Sequence, residues 1–136
     1  ARGAVASANH STFMSSNDNS IEVNGEKGSL RFSFEDMNVL WFADATAPRA
    51  TSGWTRVMAT EGAHHPYVKA WWPSAHVLGY EHGFVNMAAD ILRVLSGQEP
   101  EAPLPDFDDA YQTQRVLEAA LLSAKERTAI KLAQVK

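Results

Sequence analysis

The hydrophobic period of this chain changes once, and that change restricts its fold more than any other feature. Before residue 61, apolar and polar side chains alternate. Leu30, Phe32 and Phe34 fall on one face of a strand, and Arg31 and Ser33 fall on the other. Beyond residue 83 the spacing turns helical. Phe84, Met87, Ala88, Ile91, Leu92 and Leu95 make one stripe, and Gly97 stops it. Strands followed by helices predict an α+β domain: an open, mostly antiparallel sheet with helices on one face.

The strands are short and separated by turn chemistry. Ala4–Met14 is small, polar and β-tolerant, and "SSNDNS" follows as a turn cluster. Ile21–Asn24 and Ser29–Phe34 flank "NGEKG", a hairpin loop with two glycines. "EDMN" predicts a turn or bulge, Val39–Ala43 a strand, "ATAPRATSG" a loop and Trp54–Thr60 another strand. After the first helix, "QEPEAPLPD" is a rigid connector. Asp106, or one of the next acids, caps a second helix running to about Arg127, with Val116, Leu117, Ala120, Leu121 and Ala124 on its apolar face. Thr128–Val135 alternates again and predicts a last strand through Ile130 and Leu132.

A length of 136 residues suits one domain, and 45% hydrophobic content supplies a core. The net charge of −4, with no basic stripe, argues against nucleic acid. No apolar run approaches the roughly 18 residues of a membrane span, and no signal peptide is visible, so no membrane partner is expected. Cysteine is absent, which removes disulfides, thiolate nucleophiles and Cys-based zinc sites and fits a cytoplasmic location. The chain starts without Met, directly on an extended segment. That start is expected of a fragment of a longer protein, with natural processing as the alternative.

Between the two periodic halves lies "HHPYVKAWWPSAHVLGYEHGF", His64 to Phe84. A zinc site would use His64, His65, His76 and His82, but no HExxH pair or i, i+4 histidine pair supports it, and no metal is expected. There is no G-x-S-x-G elbow, and Ser96 is a helix end. The pairs Glu35/Asp36 and Asp108/Asp109 suit a strand end and the first turn of a helix. "NGEKG" joins two strands and is no phosphate cradle. Trp71-Trp72-Pro73 suits either stacking on a small molecule or pinning a connection against the sheet.

Three stretches fall into one pattern. "IEVNGEKGSLRFSFEDMNVL" resembles the hairpin and following N-x-L of the C-terminal domain in the Gfo/Idh/MocA oxidoreductases. "HPYVKAWWPSAHVLGYEHGF" is similar to the segment "HPY…WWPPGHxxGYEHTF" of a sugar-dehydrogenase-like branch. "PDFDDAYQTQRVLEAALLSAKERTAIKL" is similar to the closing helix and strand, and "RGAVASANHS" resembles the strand that opens the domain. The motifs run in the family's order over about Ile21 to Leu132.

This resemblance implies the C-terminal substrate and oligomerisation domain, residues 1–136, of an enzyme whose N-terminal Rossmann domain binds NAD or NADP and lies outside this chain. The implied reaction is hydride transfer at a sugar, inositol or related polyol. Its catalytic lysine and Asp/His pair have no counterpart here, so no catalytic residue is expected and the chain alone should hold no cofactor. The resemblance implies that His76, Tyr80 and Trp72 contact substrate or nicotinamide-ribose, with Trp71 and Trp72 packing first. A homo-oligomer through the open sheet face, bearing Trp41, Trp54, Arg31 and Arg56, is expected. The competing function is a stand-alone oligomerisation or interaction domain without activity. Two departures stand out: Ala75 replaces the family's Gly before His76, and Ala110 replaces Gly after Asp. If that Gly used φ > 0, Ala75 is strained.

Overall fold

The computed structural model describes residues 3–10 and 18–135. By its contacts the chain divides into two compact units, Ala1–Ala89 and Asp90–Lys136.

Among the described residues, the first unit holds five antiparallel strands in chain order: β1 (Val5–His10), β2 (Asn19–Asn24), β3 (Gly28–Ser33), β4 (Val39–Asp44) and β5 (Trp54–Met58). Each strand pairs only with its neighbours in sequence, so the sheet is a meander built from successive turns. The β2–β3 turn closes with Gly25 N–H donating to Gly28 O at 2.9 Å. Gly28 itself is fixed by crowding, because a Cβ there would lie 2.6 Å from Ala43 O.

Register sorts the side chains into two faces. Ser7, Glu22, Arg31, Trp41 and Arg56 form one row straight across the sheet, and Trp54 lies on the same face. Ala8, Ile21, Phe32, Leu40 and Val57 form a row on the other face, flanked by Val23, Leu30 and Phe42. The Trp/Arg face is the one expected from alternation, and its charges are paired. Glu22 and Arg31 meet at 2.7 Å, Arg31 sits 4.5 Å over the Trp54 ring, and Arg56 reaches Asp36 at 3.5 Å. Ile21, Leu30, Phe42 and Val57 on the opposite face are exposed.

One sequence expectation needs correction here. Phe34 does not continue the face of Leu30 and Phe32. β3 ends at Ser33, and Phe34–Asp36 is a 3-10 turn. Alternation identifies strand residues but does not mark where pairing stops, and the β3–β4 register ends at Phe32↔Leu40. The strand expected over Ala4–Met14 is observed to His10, and residues 11–17 lie outside the described residues.

Helix α1 (Tyr80–Leu95) follows the predicted stripe and ends as expected. Gly97 takes φ 78°, and Gln98 N–H donates back to Arg93 O at 2.9 Å. The stripe itself is not buried: Phe84, Met87, Ile91 and Leu92 are exposed, and Leu95 is 78% exposed.

In the second unit, buried Asp90 (1% exposed) accepts Glu101 N–H at 2.9 Å, which ties the proline connector down. Helix α2 (Phe107–Glu126) opens on a reciprocal cap. Asp106 accepts Asp109 N–H at 2.9 Å, and Asp109 accepts Asp106 N–H at 3.2 Å. Asp108 and Asp109 are thus helix-capping charge, as their spacing suggested.

The last expected strand, Thr128–Val135, is absent. Arg127 turns the chain at φ 54°, and a 3-10 turn covers Leu132–Gln134. Helix side chains take up the tail's carbonyls: Ser123 Oγ donates to Thr128 O at 2.7 Å and Arg115 Nη2 to Leu132 O at 2.6 Å. These bonds hold the tail to α2 itself.

Candidate functional site

The histidine- and tryptophan-rich segment leaves β5 through Thr60 and closes on itself. Ala75 N–H donates to Thr60 O at 2.8 Å. Ser74 Oγ donates to Glu61 Oε1 at 2.8 Å and accepts Gly62 N–H at 3.0 Å. These bonds make a neck, and residues between it form a compact loop. Val68, fully buried at 0% exposure, anchors the loop's inner 3-10 turn, Val68–Ala70. Ala75 at the neck has φ 68°, the left-handed conformation foreseen where the similar segment has Gly.

The loop exit is tied to the sheet by Asn38. Its Nδ2 donates to Leu78 O at 2.9 Å and its Oδ1 accepts Leu78 N–H at 2.8 Å. Sequence reasoning read Asn38 only as a turn residue. The signal was present in the N-x-L element after the hairpin, but a two-point contact across forty positions has no periodicity to reveal it.

Four histidines occupy the segment, and their surroundings differ. His76 is exposed, and its Nδ1 lies 3.0 Å from Pro73 O and 3.3 Å from Ser74 O. Two carbonyls can only accept, so Nδ1 carries the proton, and neutral His76 presents Nε2 as an acceptor. His82 is reversed. Its Nδ1 accepts Gly79 N–H at 3.0 Å, so the neutral ring carries its proton on Nε2. Glu81 Oε1 lies 3.6 Å from the same nitrogen. The backbone bond is the shorter of the two contacts. His65 repeats the pattern of His82, with Nδ1 accepting Tyr67 N–H at 3.2 Å, and burial pushes its pKa below the usual 6.5. His64 is exposed. Among the described residues no three His, Asp or Glu side chains gather as a metal site would need.

Trp71 is a packing residue. Its Nε1 donates to Asn86 Oδ1 at 2.8 Å, and its ring meets His82 edge-on at 4.4 Å. His82 and Asn86 are one helical turn apart, so α1 grips Trp71 at two points. Trp72 is 49% exposed. Tyr80, the first residue of α1, is exposed and sits edge-on to Phe34 at 5.4 Å and Phe84 at 5.0 Å. Three residues singled out from sequence, Trp72, His76 and Tyr80, are thus each exposed within one segment. Beneath the segment is a cavity of about 300 Å³ lined by Phe32, Thr60, His65, Leu78, His82 and Asn86 among others.

Comparison with known proteins places this arrangement. Residues 1–132 match the family model "Oxidoreductase family, C-terminal alpha/beta domain". A solved oxidoreductase domain protein from Kribbella flavida is 48% identical, with 86% of this chain and 30% of that chain covered and a TM-score of 0.70. Levoglucosan dehydrogenase, solved in complex with NADH and levoglucosan, is 29% identical over 82% of this chain and 30% of that one, with a TM-score of 0.66. An oxidoreductase from Sinorhizobium meliloti is 25% identical over 85% of this chain and 32% of that one, with a TM-score of 0.66. This chain therefore spans about a third of the length of the solved structures it matches. No curated protein matches it. The chain belongs to the Gfo/Idh/MocA oxidoreductase family, as its C-terminal alpha/beta domain.

Proposed function

We propose that this chain is the C-terminal domain of an NAD(P)-dependent oxidoreductase that transfers hydride to or from a sugar, inositol or related polyol. In this reading a Rossmann domain on the N-terminal side binds the nucleotide, and this chain forms a wall of the substrate site. The residues here do not fit a dinucleotide. The N-terminus of α2 is filled by Asp106 and flanked by Asp108 and Asp109, and α1 carries Glu81 in its first turn. A pyrophosphate needs open N–H groups at a helix start, without carboxylates beside them. No chemical step is assigned to this chain. The exposed His76 Nε2 acceptor, Tyr80 hydroxyl and Trp72 ring supply substrate contacts.

The observation that carries this reading is His76 itself. Its tautomer is set by Pro73 O and Ser74 O, and its free acceptor stands in the segment where the family resemblance is most specific. The exposed apolar side chains on both helices, Leu95 at 78% and Phe107 at 94%, fit a domain whose burial is completed by further polypeptide.

The test has two parts. Calorimetric titration of this chain with NADH and NADPH should give no binding; low-micromolar dissociation constants would reject the division of labour. In the full-length enzyme, His76→Ala and Tyr80→Phe should each raise the polyol KM roughly tenfold, the worth of one neutral hydrogen bond. Unchanged kinetics in both variants would remove these residues from the site.

A further inference from the structure

Asn38 bonds both ends of the loop. At the entry, its carbonyl oxygen accepts Ala59 N–H at 2.8 Å, one residue before the neck that Thr60 forms with Ala75. At the exit, its carboxamide takes both backbone groups of Leu78, the carbonyl at 2.9 Å and the N–H at 2.8 Å. A pair of bonds to one residue fixes its orientation as well as its distance. A carboxamide carries the donor and the acceptor that this pair needs, whereas an ionised carboxylate only accepts. Both bonds are partly buried, which strengthens them relative to bonds in open water.

The candidate contact residues stand next to this pair. His76 and Val77 lie between Ala75, bonded at the neck, and Leu78, bonded to Asn38. Tyr80 opens α1 two residues after Leu78. Its ring meets Phe34 edge-on at 5.4 Å, and Phe34 begins the 3-10 turn that leads into Asn38. The connection between β3 and β4 therefore holds the segment at two places, Leu78 and Tyr80. We infer that Asn38 is a positioning residue of the substrate site: through Leu78 it sets where His76 and Tyr80 stand, without touching substrate itself. This inference rests on the reading above in which those two side chains contact the substrate.

A double-mutant cycle in the full-length enzyme tests it. The probe is whichever of levoglucosan, D-glucose and myo-inositol is turned over fastest with NAD or NADP. Asn38→Asp keeps the shape and the acceptor for Leu78 N–H, but sets an oxygen against Leu78 O in place of the Nδ2 donor. It should raise the KM for the probe about tenfold, and leave kcat and the coenzyme KM within about twofold. In a His76→Ala, Tyr80→Phe background the same substitution should change the probe KM by less than about twofold, because the side chains it positions are gone. An effect that stays near tenfold in that background overturns the inference, since Asn38 then acts on something other than those side chains. A parallel loss in kcat and coenzyme KM also overturns it, as general damage to the fold. Asn38→Ala removes both side-chain bonds without adding a charge, and it should give the same pattern through the same cycle. An unaltered probe KM in the Asn38 variants, with His76→Ala and Tyr80→Phe still raising it, overturns the inference and leaves the substrate contacts standing. An unaltered KM in His76→Ala and Tyr80→Phe, or turnover of none of the probes, overturns the underlying reading and this inference with it.

Discussion

Thr60 is 2% exposed, and among the described residues its Oγ1 has no hydrogen-bond partner. A buried hydroxyl left unpaired costs about 1–3 kcal/mol. Thr60→Val keeps the shape and removes the polar atom, so it should leave stability unchanged or raise it by up to about 1 kcal/mol. A denaturant-melt loss larger than that would mean the hydroxyl has a bound partner in solution. Glu61, next in sequence, gives a pH signature. The Ser74 hydroxyl first, then Ala63 N–H, holds its carboxyl below the usual 4.5. The unfolded chain therefore takes up the proton first. This contribution is complete above about pH 4.5 and is lost as pH falls through the lower folded value. Glu61→Gln should flatten the acid limb of a Tm-against-pH curve in that window. His65 acts with the same sign at higher pH. Burial lowers its folded pKa, so below about 6.5 the unfolded chain protonates first and stability declines. A variant, His65→Asn, should lose that upper step, and an unaltered curve just below about pH 6.5 would contradict the assignment.

At the scale of elements, the loop neck stores the clearest strain. Ala75 holds φ 68° while its N–H is bonded to Thr60 O. A non-glycine residue there costs roughly 1–2 kcal/mol, and glycine returns some of that as unfolded-state entropy. Ala75→Gly should raise stability by about 0.5–1 kcal/mol in a urea melt. A decrease would show that the neck bonds fully offset the strain. This strain was legible in sequence only because Ala75 departs from a Gly-bearing motif. The strands and both helices were legible because alternation and a helical stripe are local signals. Phe34 and the tail after Arg127 were not, since alternation continues where no pairing partner exists. Within the site, the packing of Trp71 followed from its place in the connection, whereas Trp72, expected to pack first, is 49% exposed. The donor tautomers of His65 and His82 did not follow, because they depend on which backbone N–H each ring meets.

For the whole molecule, the Trp/Arg face of the sheet is the surface proposed for self-association. It has an internal charge network that a second copy can meet without stranding a charge, and Trp54 at 38% exposure offers an aromatic anchor. The expected species in light scattering at micromolar concentration is a dimer burying roughly 2,000 Å² or more. Trp54→Glu should release monomers, and Phe42→Glu on the opposite face should not. The reverse result would move the contact to the apolar face. The meander order of the sheet has one more consequence, for how the domain is made. Since β1 to β5 pair strictly in chain order, each new strand finds its partner in the polypeptide just completed. Ring closures stay short, and the entropy of each is small. The sheet can therefore assemble hairpin by hairpin as it leaves the ribosome, before α2 has been synthesised.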